Sequence, residues 1–162
     1  MRDDHLTLRY DIEQDDPAVV RRLCVAAGNF SPDEIEVAGS LAEERLKTGK
    51  ASGYFFVFAQ MNDTLAGYAC YGPIPCTRES WDLYWIVVDP VFQGRGIGKK
   101  LLTATQNAVL EANGARIYIE TSSRSSYQKT RDFYRACGYR VEARLADFYA
   151  PNDDKFIFMR LL

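Results

Sequence analysis

Gln93-Gly94-Arg95-Gly96-Ile97-Gly98 places three glycines within five positions, after an apolar run that ends at Val87-Val88 and ahead of a helical pattern. Without Cβ atoms, the backbone there can be approached closely by a bulky anion. A helix starting at the same point adds N–H groups that have no intrahelical partner, together with the positive end of its dipole. The chemistry that suits this pattern is capture of a phosphate or pyrophosphate by main-chain amides.

Two common phosphate loops do not fit. A Walker loop needs glycine five residues ahead of its Gly-Lys pair, where this chain has Gln93, and Ser or Thr after the lysine, where it has Lys100. A dinucleotide fingerprint would need its third glycine at Lys99. ATP and NAD are therefore poorly supported as ligands.

The elements that must position this loop follow from periodicity. Leu6, Leu8, Tyr10 and Ile12 alternate with polar residues, as in a half-buried strand. Asp15-Asp16-Pro17 and Ser31-Pro32-Asp33-Glu34 each read as a helix start, the second as a capping box, with stops near Gly28 and after Lys47. Tyr54–Gln60 and Leu65–Tyr71 are β-branched and aromatic runs joined by Asn62-Asp63, which predicts a hairpin.

Leu83–Val88 and Ile117–Ile119 are apolar, and Leu101, Leu102, Thr105, Ala108, Val109 and Ala112 between them share a helical face. Strand, crossover helix, strand implies a parallel pair. A short helix over Thr130–Ala136 precedes two final strands, Tyr139–Phe148 and Phe156–Leu161, separated by Ala150-Pro151-Asn152-Asp153-Asp154. The expected fold is mixed α+β in one domain over residues 1–162, with order β, α, α, β, β, β, α, β, α, β, β.

Bulk properties narrow the function. A formal net charge of -2 and pI near 5.5 lack the basic excess that nucleic acid requires. No apolar run approaches a bilayer span, and the start at Met1-Arg2-Asp3-Asp4-His5 is not that of a secretion signal, so a cytoplasmic location without membrane association is expected. Cys24, Cys70, Cys76 and Cys137 form no Cys-x-x-Cys pair and His5 is the single histidine, so no metal is implied.

The loop resembles the acetyl-CoA signature of the GNAT superfamily, Gln-x-x-Gly-x-Gly after a strand ending in Val-x-Pro, matched by Gln93, Gly96 and Gly98 after Val88 and Pro90. The order of elements is also that of the GNAT fold. The resemblance implies a central, mostly antiparallel sheet of six or seven strands, one parallel pair splayed for the coenzyme, and four flanking helices. It assigns acetyl-CoA to the amides of Gln93, Gly94, Arg95, Gly96, Ile97, Gly98 and Lys99, and to the strand edge Ile86, Val87 and Val88. Thr121, Tyr127, Thr130 and Tyr134 would complete the coenzyme contacts; the position often held by asparagine is Tyr127 here. Side chains of Arg95, Lys99 and Lys100 would either add charge near the phosphates or remain solvated.

Acyl transfer from a thioester to an amine needs a neutral nucleophile, support for the carbonyl oxygen and a proton for the leaving thiolate. Phe133-Tyr134-Arg135-Ala136-Cys137-Gly138-Tyr139 resembles the second GNAT motif, which makes Tyr134 the general acid. Asp82 and Glu120 are the candidate bases, and the sequence does not choose between them. The Val88 amide is the candidate donor to the thioester oxygen.

By the same resemblance, Trp81, Tyr84, Tyr68, Tyr71 and the last hairpin with Asp147, Phe148, Tyr149, Asp153 and Asp154 border an acceptor cleft. Rings with carboxylates favour a cation, hence a small primary amine or a peptide or protein lysine or N-terminal amine as acceptor. A homodimer is compatible with the resemblance. The alternative on the same fold is a non-catalytic acyl-CoA sensor or interaction module.

Overall fold

The computed structural model describes residues 5–162. Met1-Arg2-Asp3-Asp4, part of the start read above, lies outside the described residues. In chain order the elements are β1 (Leu6–Arg9), α1 (Asp16–Ala27), α2 (Pro32–Thr48), β2 (Phe55–Met61), β3 (Thr64–Pro73), β4 (Ser80–Val88), α3 (Ile97–Glu111), β5 (Arg116–Ser122), α4 (Gln128–Ala136), β6 (Arg140–Ala150) and β7 (Asp153–Leu161). The strands form one seven-stranded sheet in the order β1-β2-β3-β4-β5-β7-β6. The fold is mixed α+β, mostly antiparallel, with β4 and β5 as its parallel pair. No helix among the described residues is long and apolar enough to cross a membrane.

Two compact units divide the chain: one ends at Gly72 and resumes over Trp85–Ala108, and the other comprises Pro73–Tyr84 and Val109–Leu162. In the first, β1, β2 and β3 form an antiparallel ladder. Val20, Leu23 and Cys24 of α1, Phe56 and Phe58 of β2, Tyr68 of β3 and Leu101 and Leu102 of α3 are fully or almost fully buried. Ser31 caps α2 in a reciprocal capping box: Glu34 N donates to Ser31 Oγ at 3.2 Å, and Ser31 N to Glu34 Oε2 at 2.7 Å. Gly67 lets strands pack closely, because a Cβ there would stand 2.6 Å from the Val87 carbonyl oxygen.

In the second unit β5, β7 and β6 form an antiparallel ladder around Ile117, Ile119 and Phe158, with α4 contributing Tyr134. The β4–β5 register covers only Ser80↔Arg116, Trp81↔Ile117 and Asp82↔Tyr118, although β4 runs on to Val88 and β5 to Ser122.

Several boundaries differ from the sequence reading. Tyr10 and Ile12 fall outside β1, and Tyr10 is 47% exposed, because the chain turns there toward α1. The turn between the last strands is only Pro151-Asn152; Asp153 and Asp154 belong to β7 and are buried. Their carboxylates are absorbed by hydrogen bonds and ion pairs, which hydropathy patterns do not register.

Candidate active site

The glycine loop begins where β4 ends. Asp89 N donates to Ala66 O at 2.8 Å, and Asp89 Oδ1 accepts from Val91 N at 3.0 Å, which caps the 3-10 turn Pro90–Phe92. Gln93 then departs from expectation. Its backbone N–H donates to Pro90 O at 3.3 Å and its side-chain Nε2 to Val88 O at 3.2 Å, so Gln93 braces the turn against the strand end instead of offering its amide outward.

Gly94 and Gly96 have φ of 77° and 75°, and a Cβ built at either would meet nothing within 4 Å. Both glycines are therefore required by backbone conformation, and both border open space. The first helical bond of α3 runs from Lys100 N to Gly96 O at 3.1 Å, which leaves the amides of Ile97, Gly98 and Lys99 in the first turn without intrahelical acceptors. Ile97 is 2% exposed and anchors that turn, whereas Arg95, Lys99 and Lys100 are exposed. Arg95 lies over the Phe92 ring at 5.6 Å, and Arg95, Ile97 and Lys100 line a groove of about 350 Å³ with Leu6 and Met61. Ile86 and Val88 are half-buried and Val87 is buried.

The ionisable candidates lie in the second unit. Asp82 is half-buried on β4, and desolvation, then the charge of Glu120, push its carboxyl up to about 6, against the opposing influence of Lys155. Glu120, two residues beyond Tyr118 on β5, is paired at 2.8 Å with Lys155 Nζ of β7. Lys155 in turn lies under the Phe148 ring, 3.8 Å from its centroid. Sequence reading overlooked Lys155, since a lone lysine in a strand pattern carries no signal.

Tyr134 is 4% exposed and packs among Phe133, Tyr139 and Phe158 at centroid distances of 5.5, 5.9 and 5.8 Å. Burial raises its phenol well above the ordinary value, so it stays protonated across any working pH. Thr121 Oγ1 is buried with no hydrogen-bond partner among the described residues, an orphan that a ligand amide would satisfy. Trp85 Nε1 on β4 is a second such orphan and was not anticipated. Thr130 is half-buried in the first turn of α4, and Tyr127 is 8% exposed beneath the Arg124 guanidinium.

The segment before α4 is organised by a buried cation. Arg131, 5% exposed, donates to Ser122 O at 2.7 Å, Arg124 O at 3.0 Å and Gln128 Oε1 at 2.8 Å.

The expected acceptor-facing residues divide differently. Tyr68, Tyr71 and Trp81 are 1%, 4% and 8% exposed and belong to the core; the Tyr68 hydroxyl meets Cys24 Sγ at 3.2 Å. Asp153 bonds Ser122 Oγ and pairs with Arg124 at 3.3 Å. Asp154 pairs with Arg144 at 2.5 Å and accepts from Asp147 N at 2.8 Å, while Asp147 accepts from Asn152 N at 2.7 Å. These carboxylates shape the hairpin. Phe148 and Tyr149, 51% and 47% exposed, remain at its surface.

A seven-stranded mixed sheet with a truncated parallel pair and a glycine turn leading into α3 is the architecture of an acyl-coenzyme-binding transferase. The family described as acetyltransferase (GNAT) matches residues 21–139, and the chain belongs to it. It is similar to a GNAT-family protein from Desulfovibrio desulfuricans, at 41% identity, covering 97% of this chain and 99% of that one with TM-score 0.95. The N-alpha-acetyltransferase RimI of Mycobacterium tuberculosis is 31% identical over 107 residues, 65% of each chain. An uncharacterized protein of Mycobacterium leprae is 30% identical over 107 residues, and the match spans only 28% of its length. At 18% identity the fold is also that of a Salmonella typhimurium protein solved with acetyl-CoA, with TM-score 0.75 and coverage of 98% and 94%.

Proposed function

We propose that residues 1–162 form one N-acetyltransferase domain that moves an acetyl group from acetyl-CoA to a primary amine. The observation that carries this reading is the loop: left-handed glycines at 94 and 96 beside open space, followed by the first turn of α3. Family membership supports the same reaction. Arg95, Gly96, Gly98 and Lys99 are the amides assigned to the pyrophosphate, with Gly94 setting the turn. Ile86–Val88 and the Thr121 hydroxyl are assigned to the pantetheine arm. Acetyl-CoA supplies the activated acyl group as a thioester.

The residues then divide the proton chemistry. A carboxylate of the Asp82–Glu120 pair accepts one proton from the acceptor ammonium, directly or through water, and returns it to solvent. Tyr134 donates its phenolic proton to the leaving sulfur and is reprotonated by the second proton lost from the amine nitrogen, so one proton is released per turnover. The phenol lies further above a thiol than an unperturbed tyrosine, so its proton must move as the C–S bond breaks. The Val88 amide is assigned to the carbonyl oxygen, where one such donor contributes about 3 kcal/mol.

The acceptor is a small amine or a peptide N-terminus or lysine; resemblance to RimI supports the N-terminal class. A homodimer and a cytoplasmic location are consistent with this reading. Thiol release from acetyl-CoA with amino acids, polyamines, aminoglycosides and peptides tests it. Turnover with one class supports the enzyme, and saturable acetyl-CoA binding without turnover for any amine supports a sensor instead.

A further inference from the structure

Glu120 and Asp82 are the two carboxylates from which a base must come, and a third side chain treats them differently. Lys155 is 9% exposed, a burial that a lysine tolerates only where its ammonium is compensated. Two features compensate it. Glu120 Oε2 lies 2.8 Å from Nζ, and the Phe148 ring covers the ammonium at 3.8 Å.

The backbone is built to produce this contact. The β6–β7 register jumps from Leu145↔Lys155 to Ala150↔Asp153, so residues 146–149 arch outward opposite the single residue 154. Asp147 at φ 52° forms the bend, fixed by its N–H to Asp154 and by Asn152 N to its carboxylate. The arch carries Phe148 onto Lys155. On the other side, β7 pairs Lys155 with Ser122, so the side chain reaches diagonally along β5 to Glu120.

Taking the acetyltransferase reading as its basis, we infer that Lys155 is the positioning residue of the reaction: by holding Glu120 in an ion pair it withdraws that carboxylate and leaves Asp82 as the base. The charged groups that act on Asp82 are Glu120 from β5, which favours its protonated form, and Lys155 from β7, which opposes it. Asp82 accepts the proton from the acceptor ammonium and becomes neutral, while Glu120 remains engaged with Lys155. A base titrating near 6 is ionised at neutral pH yet retains useful basicity.

The test has two arms. In the first, the Asp82 carboxyl is titrated by carbon-13 NMR in the wild type, Lys155→Met, Lys155→Arg and Glu120→Gln. Losing the cation must raise the Asp82 midpoint by about one pH unit, Lys155→Arg must restore it, and Glu120→Gln must lower it. In the second, kcat/KM for acetyl-CoA with the best amine of the panel is followed against pH. Lys155→Met then loses about tenfold at pH 5 and little at pH 9, because only the acid limb moves.

Glu120→Gln must remain active with its limb displaced the other way, a pair of opposite signs that a packing defect does not produce. An unchanged Asp82 midpoint in Lys155→Met, equal loss at every pH, or abolished transfer in Glu120→Gln overturns the inference. If the midpoints move as expected but the wild type acetylates no amine, the ion pair stands while the acetyltransferase reading and the catalytic role fall together.

Discussion

Lys155 Nζ sits 2.8 Å from Glu120 Oε2, in a unit where Asp82 is the carboxyl raised to about 6. Two carboxylates on neighbouring parallel strands are thus made unequal, one paired with a covered ammonium and the other half-buried. Separation of two acids by environment is how a site obtains one group that titrates near neutrality.

That inequality predicts a pH dependence. kcat/KM for acetyl transfer should rise through a midpoint of about 6 as Asp82 loses its proton, and Asp82→Asn should remove this limb and lower the rate about 100-fold at pH 8. Steady-state rates between pH 5 and 9 check it.

Asp82 also carries a stability signature of fixed sign. Its folded pKa lies above the unfolded value, so its contribution to stability is fully present below pH about 4 and is lost as pH rises through about 6. Asp82→Asn should therefore gain relative to wild type between pH 5 and pH 8. The gain is about 1 kcal/mol once screening at a half-exposed carboxyl is allowed for. Urea unfolding of both proteins at the two pH values measures the difference.

Gly94→Ala and Gly96→Ala should each cost about 1 kcal/mol of stability, since φ near 75° is unfavourable for an L-residue even where its Cβ meets no atom. Each should also weaken acetyl-CoA binding at least tenfold by placing a methyl in the space assigned to the pyrophosphate. Thermal unfolding and calorimetric titration with acetyl-CoA separate the two effects.

Much of this was legible in the residues. Ser31 and Glu34 announced α2 because a capping box is a local hydrogen-bond arrangement, and Asn62-Asp63 announced the β2–β3 hairpin for the same reason. The glycine loop was legible because positive φ leaves a mark on residue type. The Lys155–Glu120 pair was not, because it depends on the register of β5 against β7 and on a bulge in β6, neither of which leaves a periodic trace. Asp153 and Asp154 misled for a related reason: in sequence they are an acidic turn, and only tertiary contacts with Ser122, Arg124 and Arg144 turn them inward.

Arg131→Met should destabilise the protein by about 2–3 kcal/mol, because Ser122 O and Arg124 O lose a buried charged donor. Hydrogen exchange of residues 122–128 should rise in the variant.

Tyr134→Phe keeps the ring packed against Phe133, Tyr139 and Phe158 and should change stability by less than about 1 kcal/mol, whereas Tyr134→Ala should cost about 3–5 kcal/mol. Urea midpoints of the two variants make the comparison.

Thiol release from acetyl-CoA in the presence of the amine panel, run with wild type and Tyr134→Phe side by side, decides whether the chain transfers acetyl groups with Tyr134 as the acid. The expected result is turnover with one class of amine and a loss of tenfold or more in the folded Tyr134→Phe protein, a barrier increase of at least about 1.4 kcal/mol. Saturable acetyl-CoA binding with no thiol release for any amine would contradict it.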